Sequence, residues 1–347
     1  MNEQKEHKKV EIVGWGLAGA TLAWQFYFYK KDFVVHDSGE NFSSRTAAGL
    51  VNPIVFKRLT KSWKADVLLP YAAQFYKKIE DELGVSLVSN RSILRIFASV
   101  EEQNNWASVS GDERFEKYME SVQDVEIDKI AAPFGGGKVN TIGNVDTNLF
   151  LDASRAFFQE KGVHFFNDKF DYYNVNDTDS FIFCEGFEIK NNFFFNYLPM
   201  KPTHGETLTI KTDQIKFEDI LNKNMFVLPL GNGYYKVGAT YNWELEESIT
   251  TPFGKKELLE KLKVFADFEF EVVNHEAGIR PTVSDRRPLL GVHPENNNLH
   301  VFNGLGTKGV MIAPFFSEQL LRSVIFDEPI DKEVDIKRHE KKFISVK

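Results

Sequence analysis

An α/β fold wound around a parallel sheet is predicted by three observations on this chain. Between Val10 and Asp37 a short apolar run, a glycine-rich turn, an unbroken apolar stretch and a second apolar run follow one another. Between Leu299 and Ile325 the order strand, glycine turn, helix returns, more than 250 residues later. The third is size: 347 residues, 42% of them hydrophobic, can bury more than one core, so two domains are expected.

Val10-Glu11-Ile12-Val13 reads as a strand, and Gly14-Trp15-Gly16-Leu17-Ala18-Gly19 has the G-x-G-x-x-G spacing of a dinucleotide loop. Gly14 permits the tight turn, Gly16 lets backbone approach a pyrophosphate, and Gly19 lets the helix lie close to the strand. The helix that starts here offers unpaired N–H groups and a positive dipole end to phosphates. Phe33-Val34-Val35 is the second strand. Asp37 lies 18 residues past Gly19, near the ~20-residue spacing of a carboxylate that accepts ribose hydroxyls. Ile12 to Tyr29 is also apolar enough to suggest a membrane span or a signal peptide. Three glycines in its first half and the β-type run behind it argue against a span, and no small-residue cleavage site follows. A helix that is apolar all round is expected here to be buried inside a soluble protein.

Ser38 to Leu50 is polar and then small; Ala47, Ala48 and Gly49 let backbone come near a ligand, and Arg45 offers a cation to a phosphate. Lys57, Arg58, Lys61 and Lys64 put four cations in eight residues, either a solvated edge or a collar that attracts an anionic substrate. Ala65 to Leu83 has apolar residues at helical spacing and is stopped by Gly84. Leu87 to Val100 reads as strands and Glu101 to Glu120 as a charged helix. Phe134 to Val139 looks like a phosphate loop but lacks the upstream glycine and the Ser/Thr of a Walker motif, so a turn is expected. Asn148 to Lys161 reads as a helix, Val163 to Phe166 and Phe181 to Cys184 as buried strands, the latter closing in Glu185-Gly186. Pro199 to Ile210 leads into a strand, Phe226–Pro229 and Tyr234–Thr240 form a hairpin, and 255–265 is helical. Gly278-Ile279-Arg280-Pro281 precedes Ser284 to Gly291, and the Leu299 to Phe302 strand feeds Gly304-Leu305-Gly306-Thr307-Lys308-Gly309-Val310 and a helix over Ala313 to Ile325. Two phosphate-friendly turns so far apart suit one long cofactor spanning both. The first fingerprint alone would serve NAD equally.

The single Cys, Cys184, excludes a disulfide framework and a cysteine-based metal site, so no metal is expected and a reducing compartment, the cytoplasm, is. A net charge of -8 is no global footprint for nucleic acid, although a local basic patch is compatible with it.

Together these motifs resemble the D-amino-acid oxidase superfamily of flavoproteins, in particular its glycine oxidase and sarcosine oxidase branch, over essentially the whole chain. The resemblance is carried by Gly14 to Gly19, Asp37, Ser43 to Gly49, Cys184-Glu185-Gly186, His204-Gly205-Glu206, Val237-Gly238-Ala239-Thr240, Gly278-Ile279-Arg280-Pro281, Asp285 to Gly291 and Gly304 to Val310. A closer likeness, in Ala48 to Pro53 with the basic run behind it, Gly238 to Tyr241 and Leu305 to Gly309, is to the C-terminal FAD oxidase module of the bifunctional enzyme of tRNA 5-methylaminomethyl-2-thiouridine biosynthesis. The methyltransferase half of that enzyme is not in this sequence.

The resemblance implies a doubly wound, Rossmann-like FAD-binding domain of glutathione-reductase type, formed by residues 7–60, 141–198 and 276–345. An α+β, antiparallel-sheet substrate domain of residues 61–140 and 199–275 is inserted into it. FAD is expected to be non-covalent, because no Cys lies near the C-terminus, unlike sarcosine oxidase. The expected cofactor contacts are Gly14, Gly16, Leu17, Ala18, Gly19, Asp37, Arg45, Ala47, Ala48, Gly49, Cys184, Gly186, Gly304, Gly306, Thr307, Lys308, Gly309 and Val310. Arg280 matches the position that holds the substrate carboxylate in related amino-acid oxidases, where its planar fork binds bidentately; an internal salt bridge is the competing role. Asn52, Phe226 and Tyr241 are the other expected substrate contacts. Lys308 and the N–H groups of Gly306 to Gly309 match the flavin edge that becomes negative on reduction. His204 in place of the usual Arg, and Glu185 in a turn of small residues, depart from the pattern.

The implied activity is oxidation of the C–N bond of an amino acid or secondary amine by hydride transfer to flavin, electrons passing to O2 or another acceptor. One alternative is oxidation of the carboxymethylaminomethyl group of a tRNA wobble uridine; another is a flavin-binding partner protein without turnover. A small amine or amino acid is the expected partner, with no membrane. tRNA is allowed by the likeness but not favoured by net charge.

Overall fold

An apolar strand without alternation needs cover on both faces and partners on both edges, and Val10–Val13 has them. It is buried throughout and pairs in parallel with Val34–His36 on one side and Ser180–Phe183 on the other. In this computed structural model, which describes residues 9–40, 43–264 and 266–346, that strand lies inside a six-stranded sheet. Its order is Phe165–Phe166, Val34–His36, Val10–Val13, Ser180–Phe183, Leu299–Asn303, Leu289–Val292, parallel except for the last strand.

The apolar stretch that follows the first strand is not one span. It divides into Val10–Val13 and the helix Leu17–Phe28, whose residues from Leu17 to Phe26 are all buried. The helix Gly309–Phe326 is long and apolar enough to cross a membrane by length and composition, but half of it is buried, against Leu17–Phe28 and Ala65–Leu83. Trp24 at the centre of the first helix stacks on Phe157 and meets Phe158 at a tilt of 54°, so much of the aromatic load of this chain is packing.

The second sheet has eight strands in the order Glu271–Arg280, Thr203–Lys211, Tyr234–Gly238, Phe226–Gly231, Ile220–Asn222, Ile93–Ile96, Gly136–Val139, Met119–Gln123. It is antiparallel with one exception: Ile220–Asn222 runs parallel to Ile93–Ile96. Those two strands come from distant parts of the chain, so no hairpin constrains their sense. Behind this sheet the helix Pro252–Lys263 buries Leu258 and Leu262 against Leu208 and Ile210.

Three expected elements differ. The helix expected over Glu101 to Glu120 is Val100–Ser110; Asp112 then accepts the Arg114 N–H in a turn, and the chain enters the Met119–Gln123 strand. The turn expected over Phe134 to Val139 is confined to Phe134 and Gly135, which has φ +68°; Gly136–Val139 is a strand, and Trp106 lies on Gly137, where a Cβ would stand 2.2 Å from its indole ring. The helix expected over Ala313 to Ile325 is Gly309–Phe326, starting at Gly309. Residues 7 and 8 of the expected first segment, and Phe265 at the end of the helix expected over 255–265, lie outside the described residues.

Candidate active site

The first glycine turn is a steric necessity. Gly14 has φ +107°, and a Cβ there would meet the Cys184 carbonyl oxygen at 2.6 Å; a Cβ on Gly19 would stand 1.9 Å from the Gly14 carbonyl oxygen. Strand, turn and helix therefore touch backbone to backbone. The Ser44 hydroxyl accepts the Leu17 N–H at 3.0 Å, bringing the small-residue segment Ser43–Gly49 onto the start of this helix. From the other end of the sheet, Leu299–Asn303 delivers Gly306 to Gly309 to the same place. A Cβ on Gly306 would meet nothing within 4 Å, so that turn faces open space.

Between these turns and the eight-stranded sheet lies a cavity of about 370 Å³. Of the expected cofactor residues, Gly16, Leu17, Ala18, Ala47, Ala48, Gly49, Cys184, Gly186, Gly306, Thr307, Gly309 and Val310 line it, and so do Arg280, Phe226 and Tyr241. Gly14, Gly19 and Gly304 lie behind this wall as backbone supports. Two helix starts and a floor of small residues fit the diphosphate of a dinucleotide, and a Cβ at Gly16, the glycine of the first turn on the wall, would intrude on that cradle, 3.2 Å from the Ser44 hydroxyl.

Other expected residues stand elsewhere. Asp37 is not on the cavity wall: its Oδ2 pairs with Arg155 at 2.8 Å and its Oδ1 accepts the Trp15 N–H at 3.4 Å. Arg45 points to a shallow outer groove, where it pairs with Asp152 at 2.6 Å. The Asn52 carbonyl accepts Lys308 Nζ at 2.7 Å, and the Ser62 hydroxyl also contacts that ammonium. Lys308 thus caps the turn from beneath. Burial lowers the pKa of its ammonium to about 8.

Arg280 is the strongest electrostatic feature on the wall. Among the described residues no ion pair to it is recorded. Its Nη1 and Nη2 donate only to the His204 and Thr240 carbonyls, at 3.3 and 3.2 Å, and Tyr241 covers it with its ring centroid 4.3 Å from Cζ. The guanidinium lies where a Gly205 side chain would be, 2.1 Å from an ideal Cβ. Burial lowers its pKa, which measures how poorly the charge is solvated.

The two departures from the family pattern serve structure. His204 and Glu206 lie on the sheet face away from the cavity. His204 Nε2 meets the Ile249 carbonyl at 2.8 Å. Glu206 accepts the N–H and hydroxyl of Thr251, the N-cap of Pro252–Lys263, and contacts His275 Nε2 at 2.6 Å. Glu185 turns away from Gly14 and accepts the Tyr172 hydroxyl at 2.6 Å and Asn192 Nδ2 at 2.9 Å; burial raises its carboxyl to about 7. Sequence reasoning missed Thr207, Asn222, Asn224, Met225 and Asn303, which also line the cavity. The period-2 pattern of Thr203–Lys211 could have flagged Thr207 as a neighbour of Gly205 on one face.

Comparison with known proteins accords with this geometry. The chain is 25% identical over 310 residues to the tRNA 5-methylaminomethyl-2-thiouridine biosynthesis bifunctional protein MnmC of Legionella pneumophila (strain Lens), covering 84% of this chain and 46% of that protein. It therefore spans about half the length of that relative. Its fold is that of glycine oxidase from Geobacillus kaustophilus, with a TM-score of 0.80, 16% identity, and 96% and 98% of the two chains covered. Iminodiacetate oxidase from Chelativorans sp. BNC1 superposes with a TM-score of 0.75, 19% identity, and 95% and 98% covered. The profile of the DAO family, described as FAD dependent oxidoreductase, matches residues 9–321, and the chain belongs to that family of FAD-dependent oxidoreductases.

Proposed function

We propose that the protein oxidises the C–N bond of an amine bearing a carboxylate, with Arg280 holding that carboxylate. The observation that carries this reading is a shielded guanidinium on the cavity wall with only two long carbonyl contacts. An unpaired cation in such a place is costly, and a carboxylate is the anion its planar fork fits. Bound FAD supplies the hydride acceptor, and the imine product hydrolyses. The residues around it position and shield: Tyr241 covers Arg280 from solvent, and the Gly306 to Gly309 turn with Lys308 beneath it presents donors and a cation where negative charge would develop. Asp37, oriented by Arg155, is the proposed partner of the ribose hydroxyls. The division into an FAD domain of residues 7–60, 141–198 and 276–345 and a substrate domain of 61–140 and 199–275 belongs to the same proposal.

The test is anaerobic flavin bleaching across amino acids and N-alkyl glycines; bleaching by at least one supports turnover, and bleaching by none rules out this class of substrate. The second reading, a tRNA wobble uridine substrate, is favoured by the 25% identity to MnmC over most of the chain. Two cations of the basic collar are already neutralised: Lys61 pairs with Asp66, and Lys64 with Asp331 and Glu333. Lys57 and Arg58 are the exposed pair left to meet a polyanion. Removing both charges should abolish activity on tRNA and only trim the rate on a free amine.

FAD is expected to leave the polypeptide on acid or heat denaturation. The only cysteine in the chain is Cys184, which is buried and whose thiol is held well above its ordinary pKa by burial, a poor nucleophile for covalent attachment. Flavin retained on the denatured chain would refute this.

Lys308 should imprint the pH profile. Its ammonium titrates near 8 rather than at 10.5, so at neutral pH it is charged and the rate of flavin reduction should fall as pH rises past about 8. The unfolded chain binds more protons between about 8 and 10.5, so the contribution of this group to stability grows with pH across that window. In Lys308→Met the rate should be lower throughout and the alkaline limb should vanish. An unchanged limb would assign it to another group.

A further inference from the structure

The proposed oxidation leaves one end of the cavity unexplained. Thr207, Gly238, Phe226 and Asn222 stand side by side on four neighbouring strands, and all four line the cavity. At roughly 4.8 Å per strand, Asn222 is about 14 Å along this row from Thr207. Gly205, on which the Arg280 guanidinium lies, is two residues from Thr207, roughly 7 Å along the strand. The anion site and Asn222 therefore occupy opposite ends of the wall. Thr207, whose buried hydroxyl has no hydrogen-bond partner among the described residues, stands between them.

The amide of Asn222 has a fixed sense. Arg95 Nη1 donates to its Oδ1 at 2.6 Å, and because a guanidinium accepts nothing, the atom it meets must be the amide oxygen. Nδ2 is left to donate. Arg95 is itself clamped: Glu102 Oε1 is 2.7 Å from both Nε and Nη2, and the Phe56 ring lies 5.4 Å from Cζ. Glu102 is anchored in turn, accepting the Ala98 N–H at 2.8 Å while its own N–H is capped by Ser99. The Arg95–Glu102 pair is neutral overall, so the group offered to the cavity is an oriented, uncharged donor.

We propose that Asn222 is a specificity-determining residue that donates to an oxygen on the second arm of the amine. The preferred substrate is then an N-carboxymethyl amine whose other substituent bears an accepting carbonyl or carboxylate oxygen, with the Phe226 ring as the surface under that arm. This rests on the reading of Arg280 as the carboxylate holder. A two-carbon amino acid fills only the Arg280 end.

The experiment compares kcat/KM for sarcosine, iminodiacetate and 5-carboxymethylaminomethyluridine in the wild type, Asn222→Ala and Asn222→Asp. Wild type should prefer at least one acceptor-bearing probe over sarcosine, and which one identifies the arm as carboxylate or pyrimidine carbonyl. That preference ratio should fall about tenfold in both variants, the worth of one oriented hydrogen bond in a shielded site. Asn222→Asp keeps the size of the side chain and its bond to Arg95, so it guards against misfolding as the cause. A wild type that prefers sarcosine, or a ratio unchanged in both variants, overturns the role of Asn222 and leaves that of Arg280 standing. Failure of all three probes to reduce the flavin brings down the proposed function and this inference together.

Discussion

Arg280→Lys is expected to lower kcat/KM for a carboxylate-bearing amine about 100-fold, while FAD content and melting temperature stay close to wild type. The guanidinium rests on Gly205 under the Tyr241 ring and, among the described residues, touches no acid. Two parallel charge-assisted hydrogen bonds to a carboxylate would be the best partners it has. A lysine keeps the charge but presents a point donor, and it cannot stack as a plane against Tyr241. Losing one charge-assisted bond of the fork, with the remaining one poorly aligned, costs about 2.7 kcal/mol, which is the 100-fold. Steady-state kinetics on the identified substrate checks this. Full kcat/KM in the variant would return Arg280 to a structural role.

Gly19→Val is expected to yield protein without flavin and with a depressed melting temperature. An ideal Cβ there stands 1.9 Å from the Gly14 carbonyl oxygen, 3.1 Å from its carbon and 3.4 Å from Ile12 Cγ2. No rotamer relieves a clash with backbone. Gly14 cannot retreat either, since its own Cα faces the Cys184 carbonyl. The helix must lift off the sheet, and both its packing against Gly309–Phe326 and the phosphate cradle go with it. The ratio of flavin to protein absorbance after purification measures the first effect and thermal unfolding the second. Wild-type flavin content would mean that the close approach of strand and helix is not required.

How much of this could be read from residues alone follows from where each signal is local. The glycine fingerprint is local: spacing within Gly14 to Gly19 dictates turn, crossing and helix start, and the structure repeats that order. Arg280 was legible through its motif, but its lack of an acid partner was not, because that depends on every strand packed around it. Thr207 and Asn222 carried no motif; they reach the cavity through the register of four strands, which no single segment encodes. Gly137 misled because the reason for it is Trp106, some thirty residues away in sequence. His204 and Glu206 read as departures in a binding motif, yet alternation sends them to the opposite face, where they hold Ile249 and Thr251.

The central claim, a flavin site that demands a carboxylate beside the amine, is tested most directly by anaerobic reduction of the purified flavoprotein with matched pairs of amines. Sarcosine against dimethylamine, and N-ethylglycine against N-methylethylamine, differ only in the carboxylate offered to Arg280. The account predicts that at least one carboxylate of these pairs bleaches the flavin, while its counterpart without a carboxylate does so at least about 100-fold more slowly, the penalty of leaving the guanidinium unpaired. Equal bleaching by both members of a pair, or bleaching only by the amines without a carboxylate, would contradict it.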